Sequence, residues 1–530
     1  MDSAPSLETV LVALNALYRN PDTTGKEKAS VWLGELQKSV YAWQISDQLL
    51  QLNQDIESCY FAAQTMRTKI QYAFHELPAA SHQSLRDSLL NHATRISEET
   101  PPVIETQLCL AVADLSLQMA TWKDPVPELI QKFGQNPQQW NFLLELLTVL
   151  PEEINSRSLR LGANRRAEIT DELVKASPMM LQLLIAVLET KREDVRVGAK
   201  VFRCLSSWLT ANAVPQENII GTPLVAALFQ VMMDRESPSN IHEAVTDCLC
   251  SALYIVEDLD KNGALAQELF QGVMALPDAY HLSVAYEDMD KTVNYCRIFT
   301  EMAESFLEVI VNTPNTGFGD LRTLELLLMC VGHHQYEVAD ITFNFWYRLS
   351  EALYQRNAQP LNETFKPYIQ RLIVALCCQC QFDSDHEGIA ESTDEFVDFR
   401  SRVSELIKDV VFITDSSCCF IQMFENLKNQ SADASWDTSE AALFIMCAVA
   451  KNILPDDNEI VPQVLNAVLQ LPESTHIALR YTSILLVGEL SDWIEKHPEF
   501  LGELTSCTSL LVVISWSSRI CSCILKYIIN

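Results

Sequence analysis

Apolar side chains recur at helical spacing along almost the whole chain, and this period limits what the chain can fold into. The first such stripe comprises Leu7, Val10, Leu11, Leu14 and Leu17. Residues at positions i, i+3, i+4 and i+7 lie on one face of an α-helix, so each stripe predicts a helix with one buried face. The strict alternation that marks a half-buried strand is scarce. The chain is therefore expected to be all-α.

The length of the chain and its scarcity of glycine indicate how these helices are arranged. A single hydrophobic core stops growing at about 250–300 residues, and this chain has 530 residues with only 14 glycines. Nucleotide-binding turns and parallel α/β sheets use glycine freely, because glycine adopts positive φ without steric cost. Paired helices that repeat every ~40–47 residues fit both observations. We therefore predict an α-α superhelix, a HEAT/armadillo-like solenoid of roughly 11–13 helix pairs.

Local signals predict where several helices begin and end. Thr24 and Glu27 have the spacing of a capping box, in which two side chains satisfy backbone amides at a helix start. Asp124 followed by Pro125 predicts an N-cap with proline at the first helical position. Pro151 and Pro455 are expected to end the apolar segments before them, because proline has no backbone N–H to donate.

The chain carries a formal net charge of −32, from 38 basic and 70 acidic residues. A surface of this sign repels nucleic-acid phosphates and anionic membrane leaflets, and it speeds encounters with basic partners. The alternative is that the acidity only keeps a large protein soluble. We therefore expect protein partners, with no direct nucleic acid and no membrane.

The 16 cysteines are scattered among apolar residues, as at Cys109, Cys204 and Cys248. The amino-terminal sequence MDSAPSLETV lacks the basic and apolar regions of a secretory signal peptide. Reduced, buried thiols of a protein in the cytosol or nucleus are the expected interpretation.

The sequence gives no support for catalysis, because it contains neither HExxH nor GxSxG. Cys377, Cys378 and Cys380 invite a zinc interpretation, but a second ligand pair at suitable spacing is lacking, and buried helical thiols are favoured. His333 and His334 lie in an expected turn without a cysteine or acidic cluster beside them. We assign no catalytic, cofactor-binding or metal-binding residues, and we expect neither a cofactor nor an enzyme.

Residues 383–398, here called the acidic segment, carry seven carboxylates and no Lys or Arg. These are Asp383, Asp385, Glu387, Glu391, Asp394, Glu395 and Asp398. Clustered carboxylates raise the association rate of a basic partner. The alternative is a solvated, disordered insertion.

Residues 157–166, here called the arginine loop, carry the opposite charge and no acid. Its arginines are Arg157, Arg160, Arg165 and Arg166. Guanidinium groups bind phosphate or carboxylate in a bidentate manner, which makes these four residues anion-binding candidates. The alternative is a surface turn paired with Glu152, Glu153 and Glu168.

The last residues of the chain differ from the rest in composition. Residues 505–530 contain no acidic residue and are rich in Ser, Cys and β-branched side chains. A membrane tail anchor is one interpretation, but the uncharged run 505–518 is shorter than the ~20 residues that a span needs. An alternative or misread terminal exon joined to a solenoid is the favoured interpretation.

Several long segments resemble one protein family in the same order along the chain. Residues 21–50, PDTTGKEKASVWLGELQKSVYAWQISDQLL, and residues 58–78 resemble the amino-terminal repeats of the importin-β family of nuclear transport receptors. Four further segments resemble its transportin-SR branch, the import receptors for serine/arginine-rich splicing factors: 106–122, 143–166, 320–351 and 476–501. The resemblance implies Ran-binding repeats at 1–120, further HEAT repeats (an exportin-1/importin-β-like region) with the acidic segment at 121–501, and a divergent tail at 502–530.

The resemblance also implies a transport cycle. Such a receptor binds cargo in the cytoplasm, crosses the pore by contacting phenylalanine-glycine nucleoporins, and releases cargo when Ran-GTP binds. It would shuttle between cytoplasm and nucleus with serine/arginine-rich splicing factors as cargo. Family members continue beyond residue 501, so the resemblance implies a truncated form that lacks the carboxy-terminal cargo region. A HEAT scaffold without a Ran cycle and a tail-anchored scaffold are the alternatives.

In this family Ran-GTP contacts the second helices of the first repeats, which would lie at about 24–38, 55–75 and 106–119 here. The residues nominated on the second and third of these are Gln64, Arg67, Thr68, Gln71, Gln107 and Asp114. An acidic loop of importin-β meets a basic surface of Ran, which nominates Asp383, Asp385 and Glu387. The alternative is an ordinary solvated helix face.

Overall fold

The computed structural model describes residues 3–500 except 20, 98, 390–393, 430–434 and 473. Every regular element in these ranges is a helix, so the predicted all-α fold is confirmed. The chain divides into two compact units, one up to Asn294 and one from Tyr295 on.

The helices of the first unit are α1 (Leu7–Arg19), α2 (Thr23–Lys38), α3 (Ala42–Leu52), α4 (Ile56–Ala73), α5 (Ala79–Ala93), α6 (Pro102–Gln118), α7 (Pro125–Phe133), α8 (Trp140–Glu153), α9 (Ala163–Thr190), α10 (Val195–Thr210), α11 (Gln216–Ile219), α12 (Pro223–Met233), α13 (Ser239–Ile255), α14 (Leu259–Val273), α15 (Pro277–Ala285) and the start of α16 (Met289–Ser305).

The second unit contains the rest of α16 and α17 (Leu307–Asn312), α18 (Arg322–Val331), α19 (Tyr336–Ile341), α20 (Phe343–Arg356), α21 (Gln359–Gln379), α22 (Glu395–Thr414), α23 (Ser416–Asn429), α24 (Trp436–Val449), α25 (Val461–Leu469), α26 (Ile477–Glu489) and α27 (Ser491–Lys496).

The first unit is built from antiparallel helix pairs in two layers, as in HEAT repeats. The second helix of each pair, here called a B helix, packs beside the B helices of the neighbouring pairs. The row of B helices in this unit is α2, α4, α6, α8, α10 and α13, and the first helices of the pairs form the other layer. Because each pair buries its apolar face only against its neighbours, the stack forms one continuous core.

A hydrogen bond crosses each step of this row of B helices. Gln37 donates to Thr65 at 2.9 Å, Arg67 to Asp114 at 3.4 Å, Thr106 to Glu145 at 3.2 Å, Trp208 to the Leu147 carbonyl at 2.9 Å, and Ser206 and Ser251 join at 2.9 Å. These bonds fix the register of each helix against the next.

The second unit repeats this arrangement with α20, α22, α24 and α26 as neighbouring B helices. Tyr347 donates to the Arg402 carbonyl at 3.4 Å between α20 and α22. Arg400 then joins α22 to Glu440 of α24 at 2.8 Å, and Thr482 of α26 donates to the same carboxylate at 2.5 Å. The polar links therefore run through successive helices of this row.

Two of the predicted helix starts differ in detail from the structure. The α2 N-cap is Asp22, whose carboxylate accepts from the amides of Thr24 and Gly25, so the capping box predicted at Thr24 and Glu27 is wrong. Aspartate two residues earlier satisfies the amides of the first turn. Asp124 is the N-cap before Pro125 as predicted, although its side chain makes no cap hydrogen bond.

Helix α9 is, among the described residues, the one helix long and apolar enough to cross a membrane by length and composition. It packs against α7, α10 and α12 and buries Leu173, Leu184 and Val187. A core helix of a helical stack has the same composition.

Pro151 lies inside α8, two residues before the helix ends, so the prediction that it stops the helix is wrong. Proline has no N–H to give the carbonyl four residues earlier, which is that of Leu147. The indole N–H of Trp208 on α10 donates to that carbonyl at 2.9 Å. The missing donor of α8 is thus replaced by a side chain of the next B helix.

Replacing Trp208 by phenylalanine should lower the free energy of unfolding of the first unit by about 1–3 kcal/mol, because the buried Leu147 carbonyl loses its donor. The cost should be less than about 1 kcal/mol in a Pro151→Ala background, since an alanine at this position would supply the helix amide. Equilibrium denaturation of the four proteins of this cycle measures the difference.

Trp32→Phe is the matched control, because Trp32 is partly exposed and its indole N–H makes no hydrogen bond with the residues described. If Trp208→Phe lowered the free energy of unfolding equally in both backgrounds, the Trp208 indole would not be the replacement for the amide that Pro151 lacks.

Candidate partner-binding surfaces on the B helices

The nominated residues of α4 lie on the face opposite its buried stripe. Gln64 is exposed, and Thr68 and Gln71 are partly exposed. The Thr68 hydroxyl donates to the Gln64 carbonyl at 2.8 Å within the helix, which leaves the Gln64 side chain available to solvent. Gln107 of α6 is also partly exposed. These four side chains form a polar surface without strong intramolecular ties.

Arg67 and Asp114 are tied to each other. The Arg67 Nε lies 3.4 Å from Asp114 Oδ2, and its second nitrogen lies 3.0 Å from Glu153 Oε1. Asp114 is 0% exposed, so its carboxylate does not reach the surface in this conformation. Arg67 keeps about a quarter of its side chain accessible, at 24%. Arg67 is therefore accessible at the surface, and Asp114 fixes its position from below.

The protonation of Asp114 is shifted by this environment. Burial away from water and the nearby Glu153 carboxylate raise its pKa from 3.8 to about 8, and Arg67 opposes the shift. Asp114 Oδ1 and Glu153 Oε2 are buried and have no hydrogen-bond partner among the described residues. Asp114 therefore holds a proton near neutral pH.

A second cation bridges the same row of helices. The Lys200 ammonium of α10 lies 3.4 Å from Glu105 of α6 and 3.9 Å from Glu145 of α8. Arg67 and Lys200 thus each join a carboxylate of α6 to one of α8, at different points along these helices. Sequence reasoning missed Lys200, Glu105 and Glu145, because their spacings are of the order of one or two repeats and not of a helical turn.

The structure divides the arginine loop into two kinds of residue. Arg165 pairs with Glu168 at 2.9 Å and donates to the Leu117 carbonyl at 3.3 Å. Arg166 donates to the Leu161 carbonyl at 3.1 Å. Hydrogen bonds from Lys123 and Arg165 lower the pKa of Glu168 to about 2.

Arg157 and Arg160 of the arginine loop are exposed and form no ion pair with the residues described. Arg160 adopts φ +50°, a left-handed conformation. Glu153, expected beside this loop, instead pairs with Arg67. Two of the four candidates thus retain a guanidinium that can take an anion.

The acidic segment has two structural parts. Asp394 is the N-cap of α22, its carboxylate accepts from the Phe396 amide, and Glu395 and Asp398 lie in the first turn. Carboxylates are stabilised there by the partial positive charge of a helix start. Asp383, Asp385 and Glu387 precede this helix and are exposed. Glu391 lies outside the described residues.

Most of the cysteines and histidines singled out in the sequence are buried in the helical packing. Cys377 and Cys380 are buried, whereas Cys378 is exposed. Burial raises the pKa of Cys377 well above that of an ordinary thiol. Buried His333 accepts from the Gln335 amide at 3.0 Å. No group of three or more His, Cys, Asp or Glu in the described ranges could hold a metal ion.

Four family models match consecutive parts of the chain. The importin-beta N-terminal domain matches residues 29–95 and an exportin 1-like protein matches 101–249. The second and third TPR domains of Transportin-3/Importin-13 match 287–378 and 458–518. The mRNA transport regulator MTR10 of Saccharomyces cerevisiae is 29% identical over 519 residues, which cover 93% of this chain and 51% of that protein.

These matches support an importin-β family transport receptor. Two further relatives are Transportin MOS14 of Arabidopsis thaliana, 28% identical over 96% of this chain and 55% of that protein, and Importin-13 of Homo sapiens, 26% identical over 95% and 54%. A solved structure titled Importin13 cytosolic state superposes with a TM-score of 0.70 at 17% identity, over 88% of this chain and 54% of that one. That likeness supports the shared fold alone. The chain spans about half the length of the curated relatives it matches.

The raised pKa of Asp114 predicts a pH dependence of stability in this chain. Between about pH 4 and pH 8 the folded chain retains a proton that the unfolded chain has released, so the free energy of unfolding falls as pH rises. Asp114→Asn should remove this fall, and its unfolding midpoint should change less than that of the unsubstituted chain between pH 5 and pH 8.

Denaturant unfolding at the two pH values measures the change. Asp87→Asn, at an exposed position of α5, is the control for loss of one carboxylate. A pH dependence in Asp114→Asn equal to that of the unsubstituted chain would show that Asp114 does not hold the proton.

Proposed function

We propose that this chain acts as a nuclear import receptor that binds Ran-GTP through its first B helices. The observation that carries the proposal is the match of the importin-beta N-terminal domain to residues 29–95, a range that includes α4 and its exposed polar face. The contacts that we propose on α4 are Gln64, Thr68 and Gln71, with Gln107 on α6. Arg67 contributes a charged contact whose direction Asp114 and Glu153 set.

The acidic segment supplies the second proposed contact. Asp383, Asp385 and Glu387 expose three carboxylates within five residues. A basic surface of Ran would gain association rate from them, and this gain would fall with added salt.

The proposal extends to the cargo, to contacts with nucleoporins and to the localisation of the chain. We infer serine/arginine-rich splicing factors as cargo, contacts with phenylalanine-glycine nucleoporins, and shuttling between cytoplasm and nucleus. The matches to Transportin-3/Importin-13 domains and to a relative named as an mRNA transport regulator support it. Arg157 and Arg160 are the guanidinium groups that we propose for a phosphorylated or acidic partner.

A binding measurement separates this proposal from a HEAT scaffold without a Ran cycle. The chain should bind Ran loaded with a non-hydrolysable GTP analogue and should bind the GDP form at least about tenfold more weakly, a difference of about 1.4 kcal/mol. The paired change Gln64→Arg and Gln71→Arg should weaken GTP-form binding by a similar factor, because two long cations would occupy the α4 surface.

Gln83→Arg, at an exposed position of α5, is the matched control and should leave the affinity unchanged. Equal affinity for the two nucleotide forms would favour the scaffold interpretation. Loss of binding in the α5 control as well would argue against a specific α4 contact.

Neutralising Asp383, Asp385 and Glu387 together, to Asn, Asn and Gln, tests the second contact. The variant should bind GTP-form Ran about three- to tenfold more weakly at low salt, and the difference should shrink at high salt. The control neutralises Glu243, Glu257 and Asp278, which are exposed carboxylates of the first unit and give the same change in net charge. Unchanged affinity at low salt would remove the acidic segment from the binding surface.

A further inference from the structure

The residues that flank the exposed carboxylates are packed against the second unit. Phe382 stacks on His386 with ring centroids 4.8 Å apart, and it lies 5.5 Å from the ring of Phe396 on α22. The Trp436 indole N–H on α24 donates to the Ser384 carbonyl at 3.3 Å. Residues 382–387, here called the docked stretch, therefore contact helices that follow it in the chain.

A histidine makes the third attachment of the docked stretch. The Ala478 amide donates to Nδ1 of His476 at 3.2 Å, so that Nε2 carries the proton. This Nε2 donates to the His386 carbonyl at 3.0 Å. The His476 ring also stacks on Trp436, with ring centroids 3.6 Å apart. The side chains that bind the Ser384 and His386 carbonyls are thus in contact with each other.

The three attachments lie near the starts of three successive B helices. Phe396 is the second residue of α22, Trp436 is the first residue of α24, and His476 is the N-cap of α26. Helix starts carry partial positive charge, so they favour a stretch of negative charge nearby. Packing and electrostatics thus both favour the docked position of this stretch.

Arg400 connects this packing to the core of the unit. Its guanidinium carbon lies 4.3 Å from the Phe382 ring centroid and 4.1 Å from that of Phe444. It donates to both oxygens of Glu440, at 2.8 and 2.9 Å. Arg400 is 4% exposed and Glu440 is 1% exposed, so the ring of Phe382 rests on a fixed, buried ion pair.

The docked stretch is attached at alternate residues. Phe382 makes its contact through its ring, Ser384 through its backbone carbonyl, and His386 through its ring and carbonyl. The residues that follow each of them, Asp383, Asp385 and Glu387, are exposed. The Asp383 carbonyl accepts from the His386 amide at 2.9 Å, which closes a turn within the stretch. The carboxylates are therefore held by their neighbours while their own oxygens stay accessible.

We infer that Phe382, His386, Trp436 and His476 are positioning residues, which hold the three carboxylates in an ordered array before a basic protein surface binds. The inference rests on the proposed function for the identity of that surface. A stretch that is already ordered loses less conformational entropy on binding, and this raises affinity without any new contact. The contacts of residues 383–387 with α24 and the start of α26 favour an ordered stretch over the solvated-insertion interpretation.

The test releases the docked stretch without changing its charge. Phe382→Ser with His386→Ser removes both stacking rings, and Trp436→Leu removes the indole from the other side. Amide hydrogen exchange of residues 383–387 in the unliganded chain should become at least about tenfold faster in both variants. Affinity for GTP-form Ran at low salt should fall about three- to tenfold.

Tyr354→Ser is the matched control, because Tyr354 is an aromatic residue of α20 that is 71% exposed and contacts Phe412 instead of the docked stretch. It should change neither exchange nor affinity. Circular dichroism and the unfolding midpoint establish that each variant keeps its fold.

The outcomes separate this inference from the proposed function. Unchanged exchange in both release variants would overturn the docking. Faster exchange with unchanged affinity, where the carboxylate-neutralised variant binds weakly, would overturn the positioning role and leave the Ran contact intact. If neutralisation also leaves affinity unchanged, the proposed Ran contact and the positioning role both fall.

Discussion

No repeat of this chain can bury its apolar face alone, and this constraint governs the rest of the structure. Each B helix within a row presents one side to the preceding B helix and the other side to the next. The burial of residues such as Trp208 and Phe345 is therefore a property of neighbouring repeats and not of single helices. Hydrophobic burial is non-directional, so the polar contacts between B helices add to the register that side-chain interdigitation sets.

Those polar contacts are concentrated where B helices meet. Arg67 joins α4 to α6 and α8, and Lys200 joins α10 to the same two helices. In the second unit the Glu440 carboxylate joins α22 to α26. The Arg400–Glu440 pair is buried and tolerates little displacement, because an unpaired buried charge is costly. Arg67, Lys200 and Arg400 are thus used within the fold.

The sequence predicted the helices well but the polar contacts between helices poorly, because the residues in those contacts lie far apart in the chain. The apolar stripe at Leu7–Leu17 reports local period, and α1 forms there as expected. Asp114 was visible as a polar residue in an apolar helix, but its partner Arg67 lies 47 positions away. The separation of Arg400 and Glu440 is 40 positions. Both separations equal one repeat, so opposite charges at the repeat period are the signal that could have found them.

The positions of some candidate residues also depend on tertiary packing, which local sequence patterns do not predict. The acidic segment was predicted from composition, yet Asp394 caps a helix while Asp383 stays exposed. Composition cannot separate these roles, because both need only a carboxylate. The difference arises from aromatic side chains of α22, α24 and the start of α26, which come later in the chain than Asp383.

The proline in α8 has a consequence for how such arrays can be recombined. Pro151 leaves the Leu147 carbonyl without a donor from its own helix, and α10 must bring an indole to that point. The seam between these two helices is therefore asymmetric, because one side lacks a group that the other side supplies. A chimaera that joined α8 to a foreign repeat would bury an orphaned acceptor at the junction unless the incoming helix carried its own donor. Proline on one helix and tryptophan on the other would thus make this junction selective for its native successor.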